Sequence, residues 1–215
     1  MSIYGLIIGV AFWVGIYYFQ KHNKVIPKNR ENIFILGIVL FSIVGARIYH
    51  VLDYWDYYSH NTLEIINTRA GGLGIYGGII GGVVFAILFA LINRLSILKI
   101  INTITPVLPF CQAIGRWGNF ANHEVYSPTG QPVWLYESIL NLGLFFLIKL
   151  KAKKIYQPTA IYLIGYGFIR FFLEFLRNDT WQLGQLKVAQ IISVLLIIIG
   201  IILLRWRKDG GEIQK

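Results

Sequence analysis

Between Gly115 and Glu124 the chain reads Gly-Arg-Trp-Gly-Asn-Phe-Ala-Asn-His-Glu, directly after an apolar run. Arg116, Asn119, Asn122, His123 and Glu124 therefore gather where a membrane segment should be ending. Polar groups at that depth are costly, so they are usually partnered and usually functional. The guanidinium fork of Arg116 matches the paired oxygens of phosphate or carboxylate. Gly115 and Gly118 flank it, which predicts a sharp turn or a close approach of a ligand to the backbone. The chemistry these residues suit is the grip of an anionic group and the stabilisation of charge developing on it.

Other candidates lie elsewhere. Arg170, Glu174 and Arg177 are spaced i, i+4, i+7, which places them on one helix face. Such a stripe in apolar surroundings should face a bundle interior, either as an internal ladder or with Glu174 orienting two arginines toward an anion. Tyr136 and Glu137 follow Gln131-Pro132, where proline suits the first turn of a helix. Gly71–Gly82 carries glycine at a density that permits close helix packing, or else forms a glycine-lined entry that presents Tyr76. The lone cysteine, Cys111, sits in an apolar run and reads as a small buried hydrophobe.

The elements that must hold these residues are membrane helices. The 215-residue chain is 56% hydrophobic and 14% charged, with mean hydropathy +0.60, against about 25% charged residues in soluble domains. This composition predicts an all-α integral membrane protein, one polytopic domain over residues 1–215. Seven spans approach the ~20 apolar residues that a bilayer core requires. They are Ile3–Gln20, Ile33–Leu52, Gly72–Ile92, Leu98–Ile114, Pro132–Ile148, Ala160–Leu176 and Val188–Leu204. No basic segment precedes the first span, so no cleavable signal is expected. Pro106 and Pro109 interrupt the fourth span shortly before Arg116.

The net charge of +10 would suggest nucleic acid in a soluble protein, but its distribution reads as topology. Fourteen of the 20 Lys and Arg residues fall in alternate loops and the tail, all on one side of a seven-span bundle. By the positive-inside rule that side is cytoplasmic, with the N-terminus outside and the C-terminus inside. The remaining six, Arg47, Arg69, Arg116, Arg170, Arg177 and Lys187, fall toward the outer side. There they pair with outer acids such as Asp53, Glu64, Glu124, Glu137, Glu174 and Asp179, or they converge on an anion.

In this setting the ordered motifs resemble the bacterial prolipoprotein diacylglyceryl transferase family over nearly the whole chain. Ile3-Tyr4-Gly5-Leu6 and Gly45-Ala46-Arg47-Ile48 resemble its first- and second-span elements. Gly71–Gly78 resembles its glycine-rich segment, and Gly115–Asn122 with Glu124 its signature. Leu135-Tyr136-Glu137, then Gly165-Tyr166-Gly167 with Arg170, Glu174 and Arg177, and finally Gln190 complete the series. The resemblance implies transfer of an sn-1,2-diacylglyceryl group from phosphatidylglycerol to the lipobox cysteine of a secreted preprolipoprotein, without metal or dissociable cofactor. It implies a multi-pass protein of the bacterial cytoplasmic membrane, with the lipid bilayer as its setting and the active site on the extracytoplasmic side. Arg116 and Arg170, helped by Asn119, would stabilise the leaving phosphate. Tyr4, Tyr76 and Asn122 would shape the headgroup pocket, Glu174 and Arg177 would hold Arg170, and Arg47, Glu124, Tyr136 and Glu137 would complete substrate binding.

The chain departs from the family pattern at several positions. Tyr76 stands where the family usually has a histidine proposed as base, which leaves Tyr76 to orient and His50 or His123 to take the proton. His123 and Ser127 replace usual glycines, and Gln131, Val133 and Trp134 replace the usual residues before Leu135-Tyr136-Glu137. The insert expected between Tyr126 and Pro132 is nearly absent. Two other functions fit intramembrane polar residues: a transporter, for which an inverted repeat would be expected and none is visible, and a protein that only docks anionic headgroups. Nothing in the sequence points to nucleic acid.

Overall fold

The computed structural model of the chain describes residues 3–68, 71–152, 157–177, 181–184 and 186–209. Among these residues seven helical segments are long and apolar enough to cross a membrane: Ile3–His22, Lys28–Asp53, Ile75–Ile92, Ile97–Ala121, Val133–Lys151, Gln157–Leu176 and Val188–Arg205. The seven expected spans are all present, with ends displaced by up to seven residues, the most at the fourth, which runs on from Ile114 to Ala121. An α-helix satisfies its own backbone groups, which lipid cannot do. Among the described residues, regular structure other than helix is confined to a short antiparallel ladder, β1 (Gln182–Leu183) with β2 (Leu186–Lys187). Arg69 and Asp179, invoked above as an outer cation and an outer acid, lie outside the described residues.

The chain divides into two compact units, residues 1–23 with 98–215, and residues 24–97. In the second unit α2 (Lys28–Asp53) packs antiparallel on α4 (Ile75–Ile92), with the short α3 (Trp55–His60) between them in sequence. The α2–α4 contact explains the glycine-rich run. A Cβ on Gly77 would stand 2.2 Å from the Gly45 carbonyl oxygen, and one on Gly81 would stand 2.2 Å from that of Phe41. Backbones meet where side chains would otherwise hold them apart, which is the small-residue packing of membrane helices. Of the two readings offered for Gly71–Gly82, close helix packing accounts for its helical part.

The first unit holds α1 (Ile3–His22), α5 (Ile97–Ile104), α6 (Leu108–Ala121), α7 (Val133–Lys151), α8 (Gln157–Leu173) and α9 (Val188–Asp209). Helix α6 packs on α1 and α7, α7 on α8, and α8 on α9. Pro106 breaks the span between α5 and α6 as a 3-10 turn, Thr105–Val107, and Pro109 falls in the first turn of α6, where its missing N–H costs nothing. Pro132 stands just before α7, which begins at Val133. Buried polar contacts tie the far end of this unit together: Asn102 Oδ1 accepts from the Thr159 hydroxyl at 2.7 Å, and Thr105 meets the same hydroxyl at 3.1 Å.

Candidate active site

Arg116 does not sit at a turn. Helix α6 runs unbroken through Gly115 and Gly118 to Ala121, and only then does the chain turn. Asn122 follows as the C-terminal cap residue, and His123 and Val125 adopt left-handed φ of 56° and 63°. Gly118 serves a neighbour rather than a bend: a Cβ there would stand 2.9 Å from the ring of Tyr4 on α1. The helical run means that Gln112, Arg116 and Asn119 share one face of α6.

The partner of Arg116 comes from α7. Its Nη2 donates to Glu137 Oε1 at 2.6 Å, and its Nη1 donates to Asn119 Oδ1 at 3.0 Å. The other Glu137 oxygen, Oε2, accepts from Arg170 Nη1 on α8 at 3.3 Å. Arg170 Nη2 in turn donates to Glu174 Oε2 at 3.0 Å. Three helices thus bring two guanidinium groups onto one carboxylate. The glutamates are interior, with side-chain exposures of 0% and 1%, whereas Arg116 and Arg170 keep 22% and 16%. The four formal charges cancel within the cluster, but the surface it turns outward is cationic. Each guanidinium has five N–H groups and commits two of them to these partners. The Tyr166 hydroxyl, one helical turn from Arg170, lies close enough to interact with both arginines and with Glu137.

A second tier leans on the first. Asn119 Nδ2 donates to Glu124 Oε2 at 3.0 Å, and Asn122 Nδ2 donates to Glu124 Oε1 at 3.2 Å. Asn119 therefore links Arg116 to Glu124, a contact that needs the chain to reverse right after α6. Tyr4, Tyr136 and His123 are exposed around this end of the unit.

The stripe expected on α8 holds only in part. Arg170 and Glu174 meet as the i, i+4 pair, but the α-helix ends at Leu173 and tightens to a 3-10 turn over Glu174–Leu176. Arg177 is extended, with φ −108° and ψ 139°, so it leaves the helix face that its spacing suggests. Lys187, whose sequence gave no hint of this role, donates its ammonium to the carbonyls of Glu174 at 2.7 Å and of Arg177. A cation on the last carbonyls of a helix is stabilising there.

Arg47, Tyr76 and His50 belong to the second unit. Arg47 is buried, and four of its N–H groups go to backbone carbonyls: Nε to Ile65 at 2.7 Å, Nη1 to Gly71 at 3.0 Å and Gly72 at 2.9 Å, and Nη2 to Glu64. Its guanidinium also lies 5.2 Å from the ring centre of Tyr58. Gly71 and Gly72 have φ of 92° and 76°, conformations open to glycine. Arg47 thus clamps the segment leading into α4. Tyr76 stands in the first turn of α4, half exposed, its ring 6.1 Å from that of Tyr49. His50 packs against Tyr54 and Tyr58 at 4.6 and 5.9 Å.

Two arginines paired on one buried carboxylate inside a bundle of apolar helices narrow the choice of family, and comparison with known proteins decides it. A family model described as prolipoprotein diacylglyceryl transferase matches residues 1–206. The chain belongs to that family. A relative from Finegoldia magna, named phosphatidylglycerol–prolipoprotein diacylglyceryl transferase, is 39% identical, covering 96% of this chain and 91% of its own length. Relatives of the same name from Bacillus cytotoxicus and Clostridioides difficile are each 36% identical, over 99% and 93% of this chain and 90% and 88% of their own lengths. Membership makes the protein a multi-pass membrane transferase.

Arg116, Arg170 and Glu174, each a site candidate from the sequence, meet in one cluster. Glu137, expected among the substrate contacts, stands between the two arginines, a position its own spacing does not announce. The signal was present in the spacing of α8: Tyr162, Tyr166, Arg170 and Glu174 recur every four residues, as a polar face turned toward α6 and α7 would.

Proposed function

We propose that this chain transfers the sn-1,2-diacylglyceryl group of phosphatidylglycerol to the lipobox cysteine of a preprolipoprotein. It acts at the extracytoplasmic face of a bacterial cytoplasmic membrane, with its N-terminus outside and its C-terminus in the cytoplasm. The observation that carries this reading is the pair of guanidinium groups held together on buried Glu137, with part of each still exposed.

The lipid phosphate docks on the outward N–H groups of Arg116 and Arg170. The cysteine sulfur attacks the glyceryl carbon bonded to the phosphate oxygen. A carbon–sulfur bond forms, the carbon–oxygen bond breaks, and glycerol phosphate leaves with the bonding electron pair. Negative charge grows on that phosphate in the transition state, and preorganised guanidinium groups stabilise it without reorganisation. Asn119 and Glu174 hold the two arginines in this geometry. Tyr4, Asn122, Tyr136 and Arg177 shape the approach to the site, and Glu124 fixes the two asparagines. The thiol proton, from a group of ordinary pKa about 8.5, passes to His123.

The test incubates the purified protein with phosphatidylglycerol and a lipobox peptide and looks for the thioether-linked diacylglyceryl peptide by mass spectrometry. The reading expects product with a cysteine peptide and none with its serine counterpart. Absence of product, with the Finegoldia magna relative active alongside, would overturn it.

A further inference from the structure

Helices α1, α6 and α7 enclose an apolar groove of about 430 Å³, bounded by Leu6 and Val10, by Phe110 and Trp117, and by Ser138 and Leu142. It opens toward lipid, since Leu6, Val10, Trp117 and Leu142 are all substantially exposed. Its polar end lies beside the arginine cluster, because Trp117 follows Arg116 and Ser138 follows Glu137 in sequence. From Trp117 to Phe110 the groove descends seven residues of α6, roughly 10 Å at 1.5 Å per residue. That is about a third of a ~30 Å hydrocarbon core.

An aromatic group stands at this polar end. Trp134 packs its ring 5.2 Å from Trp117 and 4.8 Å from Phe120. Trp134, Ser138 and Leu142 follow one another at four-residue spacing, so Trp134 tops the α7 face that lines the groove. Trp134 is only 6% exposed, and its indole N–H is buried without a hydrogen-bond partner among the described residues. A buried donor left unmatched is costly, and Ser138, one turn below, already donates to the Ala113 carbonyl at 2.9 Å.

We infer that this groove holds one acyl chain of the donor lipid and that the Trp134 indole N–H binds the ester carbonyl heading that chain. The inference rests on the transferase reading and refines it. With the phosphate on Arg116 and Arg170, an ester group lies one short glyceryl unit away on the membrane side, and the acyl chain descends from it. The groove begins at that level and runs in that direction. Trp134 is then a positioning residue: it sets the depth of the glyceryl group and favours ester-linked over ether-linked donors.

Two measurements test this. In the first, wild type and Trp134→Phe are assayed with diacyl phosphatidylglycerol and with its dialkyl ether analogue. Wild type should show a KM for the diacyl lipid about fivefold lower, the worth of one hydrogen bond. Trp134→Phe, which keeps the aromatic packing, should raise the diacyl KM to the ether value with kcat little changed. An unaltered preference in Trp134→Phe would overturn the role of the indole. In the second, phosphatidylglycerol carrying a photoreactive group high in one acyl chain is crosslinked to the wild-type protein, and the labelled peptides are identified. Label should fall on α1, α6 and α7, be suppressed by excess unlabelled phosphatidylglycerol but not by phosphatidylcholine, and be lost in Arg116→Ala. An active enzyme labelled on other helices, or equally by both lipids, would overturn the groove. So would label in the groove from a photoreactive lipobox peptide with lipid label elsewhere. A groove labelled as expected in a protein that transfers nothing would instead defeat the transferase reading and leave the lipid site standing.

Discussion

Glu137 offers the sharpest perturbation, because its carboxylate is what keeps two like charges together. It is fully buried and contacts Arg116 at 2.6 Å and Arg170 at 3.3 Å. At an effective dielectric near 20, each such pair is worth about 4 kcal/mol of gross attraction at ~4 Å between charge centres. Glu137→Gln keeps the volume and one carbonyl acceptor but turns an N–H group toward the other guanidinium. One arginine keeps its contact and the other loses it, and breaking a buried pair costs ~3–5 kcal/mol. The two guanidinium groups then separate. A misplacement of about 1 Å at a reacting centre lowers rate on the order of 100-fold, equivalent to about 2.7 kcal/mol at 1.36 kcal/mol per decade. Affinity should move the other way. The Glu137 carboxylate offsets the positive charge that attracts the lipid phosphate, so its neutralisation should leave KM for phosphatidylglycerol unchanged or lower. The assay is steady-state formation of the thioether product against lipid concentration, with tryptophan emission confirming that the variant is folded. A fall in kcat of about 100-fold without a rise in KM is expected. A kcat within about threefold of wild type, or a raised KM at unchanged kcat, would refute the positioning role and return Glu137 to simple substrate contact.

Further predictions follow from the other contacts. Arg116→Lys replaces a fork bonded to both Asn119 and Glu137 by a single ammonium, so kcat/KM should fall at least about 100-fold; retention of a third of the activity would speak against a bidentate grip. Arg47→Met should lower the thermal midpoint markedly, since four carbonyls lose their donor at net values of ~1 kcal/mol or more each. KM for lipid, measured well below that midpoint, should not move, and a selective rise in KM would restore Arg47 to the substrate site. His123→Gly relieves a left-handed φ of 56° and should stabilise the protein by a few tenths to 1 kcal/mol, yet abolish most turnover at neutral pH if His123 takes the thiol proton. Full activity in that variant would remove His123 from the mechanism. Gly77→Leu should prevent accumulation of folded protein, because even a Cβ there meets the Gly45 carbonyl at 2.2 Å; normal yield and melting would contradict the α2–α4 packing.

The membrane architecture was legible because lipid imposes one rule along the whole chain. Runs of apolar residues near bilayer length had to be helices, and prolines at 106 and 109 had to mark a break. The site was legible in its residue types and less so in its pairings. Arg116 and Glu137 are 21 positions apart, and no periodicity within one helix connects residues on two. Six basic residues, read as lying toward the outer side, invited two expectations: pairing with nearby acids, or convergence on an anion. Among the described ones, Arg116 and Arg170 do pair with an acid, Glu137, while Arg47 clamps a glycine turn and Lys187 caps the end of α8. Carbonyl acceptors leave no mark in a sequence, so the roles of Arg47 and Lys187 could not be read from it. Arg177 was misplaced for a related reason. Spacing alone projects a helix onward, and nothing local announced that α8 would tighten after Leu173.

The central claim is that one paired-arginine site couples departure of glycerol phosphate to formation of the thioether. The most direct measurement follows both products at once, glycerol phosphate enzymatically and the lipidated peptide by mass spectrometry, from phosphatidylglycerol and a lipobox peptide. The account predicts a one-to-one yield from the wild-type protein and neither product from Arg116→Ala or Arg170→Ala. Glycerol phosphate released without thioether, or equal yields surviving in either variant, would contradict it.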